Sequence, residues 1–323
     1  MSTILIKNGT LIDGSGSKRY LADILIENEK IKKIGKLDLT ADKVIDASGK
    51  IVSPGFIDTH SHSDLKVLIE PFVEPKIRQG ITTEILGQDG ISMAPLPEEY
   101  VSSWRKNLAG LDGDSDELKW DWKNTDGYLN LISKTGSGPN ELYLVPHGNI
   151  RMEAMGLEAR VATKEELEKM KEITRREMEA GVAGLSTGLI YIPCAYAETE
   201  ELIEICKVAA EYGRPLVIHQ RSEADTMLES MQEVIRIAKE SGVKIHFSHF
   251  KICGQKNWKL IEPVIALLDK CKEEGINVSY DQYPYVAGST MLGVILPPWA
   301  HAGGTDKLIE RLKDKSLREK MKE

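Results

Sequence analysis

Four apolar runs, VAGLSTG, PLVIHQ, KIHFSHF and NVSYDQYPY, begin near residues 182, 215, 244 and 277, with helix-forming stretches between them. A strand plus its crossover helix takes roughly 30 residues, so this spacing predicts one βα unit per interval and a parallel sheet or barrel. Three further runs, GFIDTH, TTEILG and ELYLVPHG, carry the series back to Phe56 and bring it to seven. After the last run come a Pro-rich stretch, ILPPWAHAGGT, and the charged helix DKLIERLKDKSLREKMKE. A (β/α)8 barrel one strand short has two edges of unpaired N–H and C=O groups. The expected fold is therefore α/β, a TIM-like (β/α)8 barrel stopping before its eighth strand, closed either by an uncounted segment or by a later part of the chain.

Residues 3 to 52 follow a different period. ILIKN, ADILIENEKIKKIG and KVIDASGKIV alternate apolar and polar residues, with Gly, Asn and Asp at the breaks. A period of two predicts a small antiparallel sheet. The expected boundaries are 1–54 for this accessory portion and 55–323 for the barrel. Between the barrel strands, Thr163 to Glu166 forms a capping box ahead of LEKMKEITRREMEAG, and Gly181 stops that helix. A second helix, near 225–240, carries Met227, Leu228, Met231, Val234, Ile235 and Ala238 on one stripe, the mark of a core face.

Composition excludes several classes of function. The 323 residues are 41% apolar and 28% charged, ordinary for a globular protein. The formal charge of −8 comes without a basic run, which argues against nucleic acid and anionic membrane as partners. The start, MSTILIKNGTLIDG, has no charged segment followed by an apolar one, and no window reaches the roughly 18 apolar residues of a spanning helix. Cys194, Cys206, Cys253 and Cys271 form no CxxC pair and read as free thiols. The expected location is cytoplasmic.

The densest chemical signal is PGFIDTHSHSD, where His60 and His62 flank Ser61 at the end of the first barrel strand. Residues i and i+2 of a strand point the same way, so both imidazoles can reach one ion; a helix would splay them by roughly 200°. His219 closes PLVIHQ, His249 closes IHFSHF, and Asp89 sits in the turn GQDG after TTEILG. Each would be delivered to the same rim of a barrel by a different strand. Imidazole nitrogen and carboxylate oxygen are ligand types that zinc takes. Taken singly, a strand-end His is more often a satisfied polar residue, and an Asp between glycines usually caps its own backbone; together they favour metal ligands. His246 alternates away from His249 and stays outside this set, as do His147 and His301.

The blocks PGFIDTHSHSD, QGITTEILGQDGISMAP, GLSTGLIYIP, VIHQRSE, FSHFK and DQYPYVAGST, in order from residue 50 to about 300, resemble the motif series of the N-acyl-D-amino-acid deacylase (D-aminoacylase) branch of the amidohydrolase superfamily. The resemblance implies a β-sandwich accessory domain, a (β/α)8 barrel, and one or two zinc ions at the strand ends. It implies that His60 and His62 serve one metal position and that His219 and His249 serve the tightly held zinc. The third ligand of that zinc is usually a cysteine in the family; Asp89 stands there, a harder donor than a thiolate. Lys251 matches the lysine that grips the substrate carboxylate, and Tyr191, Tyr283 and Ser289 match positions lining the same pocket. The implied reaction is hydrolysis of a small N-acyl-D-amino acid by a zinc-activated water.

The resemblance also implies an aspartate at the end of the eighth strand, which activates the water and protonates the leaving nitrogen. No residue here matches it; Asp281 lies on the YPY strand instead. Two alternatives stay open. Cyclic-amide hydrolases of the hydantoinase type share the HxH start, but use a carbamylated lysine on the fourth strand, which here reads GLSTGL. A non-catalytic barrel relative would explain the missing aspartate, though not the retained Lys251 and the four histidines.

Overall fold

The computed structural model describes residues 2–322. By internal contacts the chain forms two compact units, Met1–Phe56 and Ile57–Glu323.

The first unit is built on one five-stranded sheet. Its strands are β1 (Thr3–Leu11), β2 (Tyr20–Glu27), β3 (Lys30–Gly35), β4 (Lys43–Asp46) and β5 (Ile51–Val52). β1 and β2 pair antiparallel, as do β2 and β3. The expectation of a purely antiparallel sheet fails beyond that, because β4 and β5 both run parallel to β1. Alternation reports that one face is buried; it carries no information about strand direction. The β1–β2 register shifts between Ile6 and Gly9, and Asn8 takes a left-handed conformation there. Asp23 supports the irregularity by accepting from the backbone N–H of Asn8 at 2.8 Å and of Leu37 at 2.9 Å. Leu11, Ala22 and Ile24 form the small core of this sheet.

All seven expected barrel strands are present: β6 (Phe56–Asp58), β7 (Ile81–Leu86), β8 (Asn140–Pro146), β9 (Gly184–Gly188), β10 (Leu216–His219), β11 (Ile245–Phe247) and β12 (Val278–Tyr280). They pair in sequence order as one sheet, with parallel ladders from β7 through β12. Every residue of β9 and β10 is buried, while β6 and β12 at the two edges are largely exposed. Strands covered on both faces read as near-continuous apolar runs, which is why the central strands were legible as such. The architecture is TIM-like, and no eighth strand lies among the described residues.

The crossover helices follow their sequence signals. Lys164–Glu179 opens on the expected capping box: Thr163 accepts from Glu166 N–H at 3.2 Å, and Glu166 accepts from Thr163 N–H at 2.8 Å. Met227–Ser241 buries Met227, Met231, Val234, Ile237 and Ala238, so the stripe turns slightly toward Ile237 and leaves Leu228 and Ile235 half-buried. The charged C-terminal stretch is two helices, Thr305–Lys313 and Lys315–Lys322, because Asp314 leaves the helical conformation. Among the described residues, no helix is long and apolar enough to cross a membrane.

Candidate metal centre

His60 and His62 lie just beyond the last residue of β6, and His249 lies two residues past β11; only His219 belongs to its strand. The side chains still converge, and Asp89 is where they meet. Its Oδ2 lies 3.6 Å from His60 Nε2 and 3.4 Å from His62 Nε2. Its Oδ1 lies 3.6 Å from His249 Nε2 and 3.8 Å from His219 Nδ1. Two triads result, His60–His62–Asp89 and Asp89–His219–His249, with the donor atoms of each within 4.8 Å of one another. The carboxylate offers one oxygen to each triad, so Asp89 could contribute to a cation held by either.

The turn that carries Asp89 is held from several sides. Asp89 is left-handed at φ 57°, between Gly87 at φ 76° and Gly90 at φ 72°. Short polar side chains tolerate this region, and glycine enters it freely. A Cβ on Gly87 would drive into the Leu144 carbonyl, and one on Gly90 would come within 2.7 Å of Thr187 Cα. The Ser186 hydroxyl donates to Gly87 O at 2.5 Å and accepts from Gly90 N–H at 3.1 Å, clamping both ends of the turn to β9. Asp64 accepts from Gly87 N–H at 2.8 Å.

Electrostatics fit a cation site. Burial alone would raise the Asp89 carboxyl; the imidazoles of His60, His249 and His62 outweigh it and hold the group well below the usual carboxylate range. Burial pushes His219 down to about 4, so this imidazole is neutral and ready to coordinate. Burial also opposes protonation of His249, but Asp89 and Glu223 raise it to about 9. His62 likewise overcomes burial and stands well above the usual histidine value, through Asp112 and Asp89. Because a coordinating imidazole must be neutral, a metal here would displace protons from His62 and His249. Two buried atoms pointing into the centre, Asp89 Oδ1 and His219 Nδ1, have no hydrogen-bond partner. Orphaned donors and acceptors around a buried anion, in a nitrogen and oxygen set of this kind, fit a divalent metal.

The expected substrate-side residues meet different fates. Lys251 Nζ is ion-paired to Glu223 at 2.7 Å and lies 5.2 Å from the centre of the Tyr283 ring. Tyr191 is buried, packs edge-on against His219 at 5.2 Å between ring centres, and shares a hydrogen bond with Thr290 at 2.8 Å. Ser289 is exposed. The histidines left outside the set are engaged elsewhere: His147 with Thr187 and Glu201, His301 with Gly293 O, and His246 with Ser279 and Asp281.

Several carboxylates around the centre were not singled out as partners of the ligands in the sequence. Glu223 lies 2.9 Å from His249 Nδ1, and Asp112 lies 3.5 Å from His62 Nδ1. Asp281, just past β12, accepts from His249 N–H at 2.5 Å and stands 4.0 Å from His60 Nδ1. Glu223 lies within the block VIHQRSE and Asp64 within PGFIDTHSHSD, so proximity to the ligands was available as a signal. Asp112 sits in a loop, LDGDSD, with no such mark.

The pattern of the Amidohydrolase family matches residues 43–264. The chain is 36% identical over 90% of its length to a D-aminoacylase of Alcaligenes xylosoxydans xylosoxydans, and spans 58% of that relative. Among solved structures it is similar to an N-acyl-D-glutamate deacylase of Bordetella bronchiseptica, complexed with zinc and a phosphonate mimic of the tetrahedral intermediate. That likeness has a TM-score of 0.82 at 36% identity and covers 87% of this chain and 58% of the other. A D-aminoacylase studied for its binuclear metal centre superposes with a TM-score of 0.83 at 32% identity, covering 99% of this chain and 69% of that one. The chain belongs to the amidohydrolase family, and within it resembles the N-acyl-D-amino-acid deacylases.

Proposed function

We propose that this chain carries the zinc centre of an enzyme that hydrolyses the amide bond of N-acyl-D-amino acids. The observation that carries the reading is Asp89 lying between two pairs of imidazoles, within reach of both. His219 and His249 with Asp89 would hold one ion, and His60 and His62 with the other oxygen of Asp89 would hold a second. Zinc there supplies a Lewis acid for the amide carbonyl and lowers the pKa of water from 15.7 toward about 7.

The chain's own groups then orient the substrate. Lys251 presents an ammonium beside the centre, suited to the free carboxylate of an acylated amino acid. Glu223 holds that ammonium and His249 together, so substrate carboxylate and metal ligand are positioned by one residue. Tyr191 walls the site beside His219. Preference for the D form comes to this reading from the relatives. The proton-transferring aspartate expected on an eighth strand has no counterpart among the described residues. The four cysteines are unpaired, which suits a reducing, cytoplasmic compartment.

The test incubates zinc-loaded protein with N-acetyl-D-methionine and N-acetyl-L-methionine, and measures binding of both by calorimetry alongside release of the amino acid. Release of D-methionine alone supports the reading. Release of neither, with no zinc-dependent binding of either, contradicts it.

A further inference from the structure

Three buried carboxylate oxygens behind the centre have no hydrogen-bond donor: Oδ1 and Oδ2 of Asp112, and Oδ2 of Asp64. Leaving a buried acceptor unpaired is costly, more so when it is charged, so a partner is required. Asp64 is already committed through its other oxygen, which accepts from Gly87 N–H at 2.8 Å and the Ser92 hydroxyl at 2.5 Å. Asp112 has no such commitment. Its side chain is wholly buried, in the loop between the helices Val101–Leu108 and Thr125–Thr135, and its Oδ1 faces His62 Nδ1 at 3.5 Å.

His62 thus spans two carboxylates, with Asp89 before Nε2 at 3.4 Å and Asp112 behind Nδ1. An imidazole that gives its Nε2 lone pair to a metal carries its proton on Nδ1. A carboxylate receiving that proton's hydrogen bond fixes the tautomer and the ring plane and makes the ligand more basic. The second triad has its own carboxylate, Glu223 on His249 Nδ1.

We propose that Asp112 is the positioning residue of His62, and that it sets the affinity of the His60–His62–Asp89 position while leaving the Asp89–His219–His249 position unchanged. The inference rests on the metal reading of the site. It goes beyond that reading in giving the two positions separate supports, Asp112 from the loop before Thr125–Thr135 and Glu223 from the loop after β10.

The experiment compares wild type, Asp112→Ala and Asp112→Asn. Each is loaded with zinc and dialysed against graded chelator, zinc per chain is counted by mass spectrometry, and melting temperatures of the metal-free proteins are recorded. The account expects Asp112→Ala to weaken one position by about 10–100-fold and leave the other alone. Asp112→Asn, whose amide oxygen still accepts from Nδ1–H, weakens it less. Metal-free Asp112→Asn keeps a melting temperature near that of wild type, since the amide is isosteric and its oxygen still accepts from Nδ1–H. A merely structural role would instead lower the melting temperature and weaken both positions together. Equal affinities in all three proteins overturn the proposal. So does a third ion in wild type that the variants lose, because the acid pair would then be a ligand group. Wild type that binds no zinc overturns the metal reading and this inference with it.

Discussion

Lys251 and Glu223 are ion-paired at 2.7 Å, so the ammonium expected to grip a substrate carboxylate already has an anionic partner. The same glutamate faces His249 Nδ1, and burial opposed by Glu223 leaves the lysine's pKa above its ordinary value. A substrate carboxylate therefore meets a fixed, charged and partly exposed ammonium rather than a mobile one. Losing a charge-assisted hydrogen bond of about 1.5–3 kcal/mol corresponds to roughly 10–100-fold in affinity. Lys251→Met is expected to raise KM for N-acetyl-D-methionine by that factor, with zinc content unchanged and little effect on the corresponding uncharged amide. An unchanged KM would remove Lys251 from the role.

Asp89 touches both triads, so its loss should not spare either. Asp89→Ala is expected to bring zinc per chain close to zero after dialysis. Asp89→Cys restores the thiolate that the family pattern implies, and a softer donor favours softer ions. Its expected signature is retained zinc with a raised preference for cadmium over zinc, read by competition and metal analysis.

The barrel and the convergence of the candidate residues were legible because both depend on local rules. Buried parallel strands are apolar throughout, so β7 to β12 follow from spacing, and strand ends feed one rim, so residues at or just past those ends, His60, His62, His219, His249 and Asp89, converge. What escaped depends on chain direction or on loops. β4 and β5 run parallel to β1 because of connections that alternation cannot register. Asp112 reaches His62 from a loop, and Asp281 reaches His60 and His249 from beyond the end of β12, where no periodicity operates.

The conformation of the Asp89 turn can be tested apart from its chemistry. Gly90→Ala forces a side chain into a positive-φ position against Thr187. Strain of this kind costs on the order of 1–3 kcal/mol, with the steric clash adding to it. The expected result is a lower melting temperature together with weakened zinc at both positions, although no ligand has been altered. Wild-type affinity in this variant would show that the turn does not hold Asp89.

Stability should also depend on Glu141, whose carboxyl burial raises to about 7 from an ordinary value of 4.5. The folded chain then holds a proton that the unfolded chain has released, so stability falls as pH rises from the ordinary value through 7. Glu141→Gln replaces the titrating carboxyl with an amide that stays neutral at every pH. Allowing for the partial exposure of Glu141, the variant should gain on the order of 1 kcal/mol over wild type near pH 8 and almost nothing near pH 4. Denaturant melts at the two pH values measure the difference; an equal gain at both would contradict the assignment.

The most direct measurement is anomalous diffraction at the zinc edge from zinc-soaked crystals of the protein. The account predicts density beside Asp89, with imidazole nitrogens and carboxylate oxygen at about 2.0–2.2 Å, drawn from His219 and His249 on one side and His60 and His62 on the other. Zinc bound only elsewhere, with these five side chains left as they stand, would contradict it.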